Sequence, residues 1–215
     1  MLFRSQAAAT AEDLVGELNA ARPSSAACLP ADLLDVGSLP QLIADTVDRF
    51  GRLDALVNNA SSFFPTPLGE IDLASWDDLM GSNLKAPLFL TQAAAPHLRA
   101  ARGAVVNITD IHAERPLAGY PLYCVAKAGL LGLTRALAIE LAPQVRVNAV
   151  APGPILWPDS GFFDSAARQE IVAHTLLQRT GCPEDVARAV RYLLEDAAYV
   201  TGQVINVDGG RTAHL

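Results

Sequence analysis

The sequence is short of positive charge, of cysteine and of uninterrupted apolar runs, and each shortage closes off a class of protein. Sixteen Lys and Arg face 23 Asp and Glu, a formal charge of −7, whereas a nucleic-acid backbone or an anionic bilayer calls for a basic surface. Neither nucleic acid nor membrane is expected as a partner, and any anionic ligand must be held by a local group. Cys28, Cys124 and Cys182 are an odd, scattered set without metal-ligand spacing. They read as reduced thiols in small core or helix positions, as in a cytoplasmic protein, and no metal is expected. Apolar residues make up 51% of the chain and mean hydropathy is +0.24, yet Lys127, Arg135 and Glu140 interrupt the most apolar stretch. No span of the ~20 residues that a bilayer requires is expected. Met1-Leu2-Phe3-Arg4-Ser5 leads into a polar, alanine-rich stretch rather than the apolar core and cleavage site of a signal peptide. Repeats and linkers are lacking too, and 215 residues are enough for one domain with a full core.

What is present is an alternation of short apolar runs with longer amphipathic ones, the pattern of a parallel sheet with helices on both faces. The expected class is α/β, a doubly wound parallel sheet. Strands are predicted at residues 1–3, 26–29, 53–58, 104–108, 145–150 and 204–207. Helices are predicted at 7–20, ending at Arg22-Pro23, at 38–50, stopped by Gly51, at 75–98 and at 120–141, with further loop and helix over 158–195.

Within the helix at 120–141 stands Tyr123-Cys124-Val125-Ala126-Lys127. A spacing of four stacks Tyr123 and Lys127 on one helix face, about one turn apart. An ammonium held there favours phenolate, and this is expected to lower the tyrosine pKa from ~10 toward the range of general acid and base work.

Asn58-Asn59-Ala60, Asn83, Tyr123 with Lys127, Pro152-Gly153 and Val207-Asp208-Gly209-Gly210 occur in the order and spacing of the short-chain dehydrogenase/reductase family, which the chain resembles over nearly its whole length. The resemblance implies a Rossmann-like sheet and a nicotinamide cofactor. It implies Tyr123 as proton donor, Lys127 on the nicotinamide ribose and Asn83 holding a water in a proton relay. It also implies cofactor contacts from Asn59, Ala60, Ser61, Pro152 and Gly153, with Asp32 and Leu33 near the adenine. Arg4 and Ser5 fall where the family grips the adenosine 2′-phosphate, so NADPH is the expected cofactor; an arginine fork suits phosphate where a carboxylate would take the ribose hydroxyls of NADH. A homo-oligomer, in the family's manner a tetramer, is expected, and the apolar run at 199–205 reads as an edge strand that a monomer would leave open to pairing.

One position departs from the family. Thirteen residues before the tyrosine the family places a serine, and here that position is Asp110, in Asn107-Ile108-Thr109-Asp110-Ile111-His112. A serine donates a hydrogen bond to a developing oxyanion, whereas an ionised aspartate only accepts and repels it. A substrate that presents N–H groups and gains a proton on a ring nitrogen suits a carboxylate. Asp110, with Asn59-Ala60-Ser61-Ser62-Phe63-Phe64-Pro65-Thr66-Pro67, resembles the pteridine reductase branch, which implies Phe63 stacking on a pterin; Trp157, in Ile155-Leu156-Trp157-Pro158, reads either as lining a lid over the substrate or as a loop anchor. The expected activity is NADPH-dependent reduction of a pterin or dihydrofolate-type ring. The alternatives are a short-chain reductase of another small carbonyl substrate and a non-catalytic family member serving as an oligomer partner. His112 carries no implied role and reads as solvated or structural.

By the same resemblance the sequence starts near the end of the family's second strand. The first strand, the glycine-rich turn G-x-x-x-G-x-G and the first helix are not in it, so the domain is expected to be N-terminally incomplete. That turn lets the backbone approach the pyrophosphate and aims a helix N-terminus at it, so cofactor affinity is expected to suffer without it.

Overall fold

The computed structural model describes residues 5–157 and 163–213. The element expected at residues 1–3, and Arg4, lie outside them. Among the described residues four strands, β1 (Ala55–Asn58), β2 (Ala104–Ile108), β3 (Arg146–Pro152) and β4 (Val204–Val207), form one sheet in the order β1-β2-β3-β4. All pairs are parallel, and the register sets Asn58 opposite Asn107 and Pro152 opposite Val207. The carboxyl ends of all four strands therefore meet at one edge, where an α/β sheet carries its ligand crevice.

The central strands β2 and β3 form because both of their faces are covered and successive side chains feed opposite faces, whereas Val57 of β1 and Asn206 of β4 stay exposed at the edges. On one face Val105 and Val147 join Leu39 and Ile43 of helix α2 (Leu39–Phe50), Leu90, Ala94 and Leu98 of α4 (Ala86–Ala101), and Ala138 and Leu141 of α5 (Pro121–Leu141). On the other, Val106 and Val150 pack with Leu193 of α7 (Pro183–Glu195) and with Ala197. Helix α2 closes as its sequence predicts: Gly51 takes a left-handed φ of 78° and returns its N–H to Val47 O.

Asparagines cross this core. Asn58 Nδ2 donates to Asn107 Oδ1 at 2.7 Å, and Asn107 Nδ2 donates to Thr134 Oγ1 of α5 at 2.9 Å. Asn58, Asn107 and Thr134 are all buried, so the row locks β1, β2 and α5 in register, because any slip strands a desolvated amide.

Three expectations are corrected. Residues 26–29 are not a strand: Asn19 Oδ1 accepts from Ser25 N and Ala26 N, and its Nδ2 donates to Ala26 O, so a side chain takes the groups with which Ala26 would open a ladder, and among the described residues no strand pairs with the stretch. Cys28 in this stretch is exposed rather than in a core or helix, while Cys124 is buried. The helix expected at 75–98 runs as α3 (Leu73–Met80), a π-helical turn at Gly81–Lys85, and α4. The third concerns α5, whose 21 residues, with a hydropathy of 1.5, are by length and composition enough to cross a membrane. Half of that apolar window is buried, because α5 lies along β3 and the π turn as the central core helix. Helices α1 (Ser5–Ala21) and α6 (Ser165–Ala173) and a short helical turn at Ile111–Ala113 are the other elements among the described residues.

Close approaches make two glycines informative. A Cβ on Gly103 would sit 2.2 Å from the backbone oxygen of Asp54, whereas one on Gly132, inside α5, would meet nothing within 4 Å. Gly103→Ala is expected to cost about 1–3 kcal/mol, and Gly132→Ala to add about 0.5–1 kcal/mol through helix propensity. Denaturant unfolding of both variants checks the contrast, and equal midpoints would contradict the packing at the β1–β2 crossing.

Candidate active site

At the carboxyl edge of the sheet a cavity of about 310 Å³ opens between Phe63, Asp110, Tyr123, Gly153, Trp157 and Arg211, among others. Tyr123 reaches it from the first turn of α5, which starts at Pro121, a residue whose fixed φ suits the first helical position. Asp110 follows β2 in extended conformation (φ −164°) and caps the short helical turn Ile111–Ala113, accepting from His112 N. That bond is 2.8 Å long and uses Oδ1, while Oδ2 accepts the Tyr123 hydroxyl at 2.7 Å.

The expected lowering of the tyrosine pKa is not what the geometry produces. Burial pushes the Tyr123 phenol well above its ordinary value, and the charge and hydrogen bond of Asp110 push it further. Lys127 does not counter this: its Nζ donates to Ile108 O at 3.0 Å and lies 5.6 Å from the centre of the Tyr123 ring. Shared helix face brought the two together, but the long lysine chain runs past the ring to the end of β2. The site therefore holds a protonated phenol against a carboxylate.

Asn83, on the π turn, is wholly engaged: Nδ2 donates to Ser62 O and Leu79 O, both at 3.0 Å, and Oδ1 accepts from Ser61 Oγ at 2.6 Å. Its side chain pins the loop after β1 that carries Phe63. The Phe63 ring stacks on Tyr120 at 4.6 Å and meets Tyr123 edge-on at 4.8 Å, so one of its faces is already covered. Trp157 packs on Phe163 at 5.7 Å and under the Arg168 guanidinium at 5.4 Å. Pro152 ends β3, and Gly153 approaches so closely that a Cβ would lie 2.7 Å from that of Asp208.

The remaining predicted residues are not gathered in this cavity. Asn59 and Pro152 line a separate apolar groove against α7, and Ala60 is exposed. Asp32 is exposed and forms a local turn, accepting from Leu34 N at 2.9 Å, and Leu33 packs against the core. Ser5 begins α1, and Arg4 lies outside the described residues. Conversely, the cavity includes His112, Leu117 and Arg211, none of which the sequence singled out for a role. The signal for Arg211 was its place after Asp208-Gly209-Gly210: Asp208 accepts from Gly210 N and from Thr212 N and Oγ1, and both glycines take positive φ, a tight turn that directs Arg211 back to the site.

Burial takes the Lys127 ammonium down to about 8 from 10.5, with the Asp110 charge acting the other way. Between those values the unfolded chain holds a proton that the folded chain has released, so Lys127 makes stability rise with pH across that window; below it both states hold the proton and the penalty is constant. The unfolding free energy of the wild type relative to Lys127→Met should therefore increase from pH 8 to 10.5. A flat difference in denaturant titrations would contradict the buried setting.

Over residues 2–212 the chain matches the family model described as enoyl-(acyl carrier protein) reductase. Ketoacyl reductase 2 of the granaticin polyketide synthase from Streptomyces violaceoruber is 40% identical over 206 residues, covering 93% of this chain and 82% of the relative. Pteridine reductase 1 from Leishmania tarentolae is 38% identical over 247 residues, covering 95% and 84%. Among solved structures, a blue fluorescent protein from a metagenomic library, in complex with NADPH, matches with a TM-score of 0.89 at 36% identity, covering 97% of this chain and 84% of that one. With its Rossmann-like parallel sheet and the Tyr123–Lys127 pair at the sheet's carboxyl edge, the chain belongs to the short-chain dehydrogenase/reductase family of oxidoreductases.

Proposed function

We propose that this domain, read as one unit over residues 1–215, reduces the ring of a dihydropterin or dihydrofolate-type substrate with NADPH. The carrying observation is the 2.7 Å hydrogen bond from Tyr123 to Asp110, a carboxylate in the cavity wall. Each Asp110 oxygen takes one protein donor and keeps further lone-pair capacity for ring N–H groups.

The nicotinamide-ribose end of NADPH fits the residues present. Among the described residues Lys127 Nζ makes one hydrogen bond, to Ile108 O, and an ammonium has three donors, so two remain for ribose hydroxyls. Pro152 and Gly153 offer backbone beside a close approach that any Cβ would fill. Asn59, Ala60 and Ser61 are proposed for the same end, and Asp32, Leu33, Ser5 and Arg4 for the adenosine half. When bound, NADPH supplies the hydride. Reduction of a C=N bond adds hydride to carbon and a proton to nitrogen, and the proton comes from Tyr123 Oη, which burial and Asp110 keep protonated. Substrate N–H groups that occupy Asp110 weaken its hold on the phenol, so the proton becomes available when the ring is seated. Asn83 fixes the Ser61–Ser62 loop and with it Phe63, the apolar wall for the ring.

A ketoacyl substrate is the second reading, favoured by the relative of that name at 40% identity. Asp110 speaks against it, since a carboxylate beside Tyr123 repels a developing oxyanion. We also propose a cytoplasmic homo-tetramer. Supporting it are the edge position of β4, fully exposed Tyr199, and the exposed apolar residues Leu73, Val125 and Ile139 on α3 and α5.

Asp110→Ser should lower dihydropterin turnover by about 10²–10⁴-fold, the usual worth of acid-base assistance, and bring weak ketone reduction by restoring a donor. It should also shift the Tyr123 phenol downward, because the charge that holds it up is gone. Turnover of a dihydropterin and a simple ketone at saturating NADPH, with ultraviolet titration of the phenol, checks this; equal pterin turnover in both forms would make Asp110 a bystander.

A further inference from the structure

The cavity does not end at the reacting groups. A second cavity of about 430 Å³ shares Ile111, His112, Leu117 and Arg211 with it and continues outward past Arg115 and His174. On a chain of charge −7 this outer groove is lined by two arginines and two histidines. Neither Arg115 nor Arg211 forms an ion pair among the described residues. Each guanidinium is instead steadied by a backbone carbonyl: Arg115 Nη2 donates to Thr212 O at 3.0 Å, and Arg211 Nη1 to Ile171 O at 2.8 Å. One nitrogen of each is thus used for positioning, and the remaining N–H donors of the fork stay available. His112 Nδ1 bonds to Arg115 O at 2.8 Å and His174 Nδ1 to Glu170 O at 2.8 Å. A carbonyl only accepts, so both Nδ1 atoms carry their protons and Nε2 is the other polar atom of each ring.

We infer that the outer groove binds an anionic tail of the substrate, so that the reacting group, a ring or an acyl carbonyl, sits between Phe63 and Asp110 while a carboxylate or phosphate on the substrate's far end reaches Arg211 and then Arg115. This rests on the reductase reading of the inner cavity, but not on the reacting group being a pterin. It divides the substrate into a part recognised by a carboxylate and a part recognised by cations, and it explains why Arg211 is brought back to the site by the Asp208 turn.

The test compares substrates that differ only in the tail. One arm sets dihydrofolate, with its glutamyl carboxylates, against a dihydropterin without them; the other sets acetoacetyl-pantetheine 4′-phosphate against acetoacetyl-pantetheine. In the arm that is turned over, kcat/KM should favour the charged member through a lower KM. Arg211→Gln and Arg115→Gln should each reduce the charged-to-neutral ratio about tenfold, the size of one charge-assisted hydrogen bond at a partly exposed site, and added salt should do the same. Turnover confined to the second arm would defeat the pterin proposal and leave this one standing, with phosphate as the tail. Titration of p-aminobenzoyl-glutamate and of phosphopantetheine, followed by NMR in the wild type and in Arg211→Gln, reads the groove without any chemistry. Equal kcat/KM for charged and neutral members, or binding of neither probe, or binding that the arginine variants leave intact, overturns the inference.

Discussion

The hydrogen bond between Tyr123 and Asp110 is the constraint around which the site is arranged, because it joins two elements that the fold brings together from different layers. Asp110 belongs to the end of β2 and is fixed by its capping bond to His112 N, while Tyr123 belongs to the first turn of α5. Lys127, one turn later on α5, donates to the last residue of β2, so the helix is tied to the strand by both members of its motif. Hydrogen bonds to charged groups are worth roughly 1.5–3 kcal/mol each, and more is lost when one partner is left buried alone. The asparagine row from Asn58 to Thr134 makes the same join deeper in the core. Helix α5 is thereby held along the sheet at three levels, and the proton-bearing phenol has no freedom to leave the carboxylate unless something else occupies it.

Much of this was legible in the sequence, and for a physical reason. Helix, strand and motif positions follow from periodicity and spacing, so β2, β4, Gly51 as helix stop and the i, i+4 pair of Tyr123 and Lys127 could be placed by counting. Asp110 was singled out by the family resemblance, which places a serine thirteen residues before the tyrosine, and the two side chains do meet. What counting could not supply was direction and burial. A shared helix face says that Tyr123 and Lys127 are neighbours. It does not say that the lysine chain extends past the ring to Ile108 O, nor that burial would dominate the phenol, and so the sign of the tyrosine shift came out reversed.

Residues 26–29 failed for a related reason. Their apolar character matches a strand, but a strand needs a neighbour, none pairs with them among the described residues, and the backbone of Ala26 at their start is taken by the side chain of Asn19. The apolarity of α5 misled in the other direction: interspersed charges argued against a membrane-length run, yet Lys127 is buried and donates to Ile108 O inside the protein, so it marks the site and not a solvated face. Polar residues in apolar segments are best read by asking what could satisfy them, since a buried lysine persists only where donors are used and part of its charge is given up.

Arg211 shows where legibility ends. The Asp208-Gly209-Gly210 motif stands directly before it, but the motif gives no direction to the next side chain, and the role of Arg211 depends on a turn whose geometry is made by Asp208 and two left-handed glycines. The same turn anchors Gly153 through close contact with Asp208, so one short segment after β4 shapes both the backbone at the inner cavity and the cation at its outlet. The site consequently changes sign along its length, with an accepting carboxylate at the reacting end and guanidinium donors toward solvent. Such an arrangement orients an asymmetric ligand before any chemistry takes place, because a molecule entered the wrong way round would set its anionic end against Asp110.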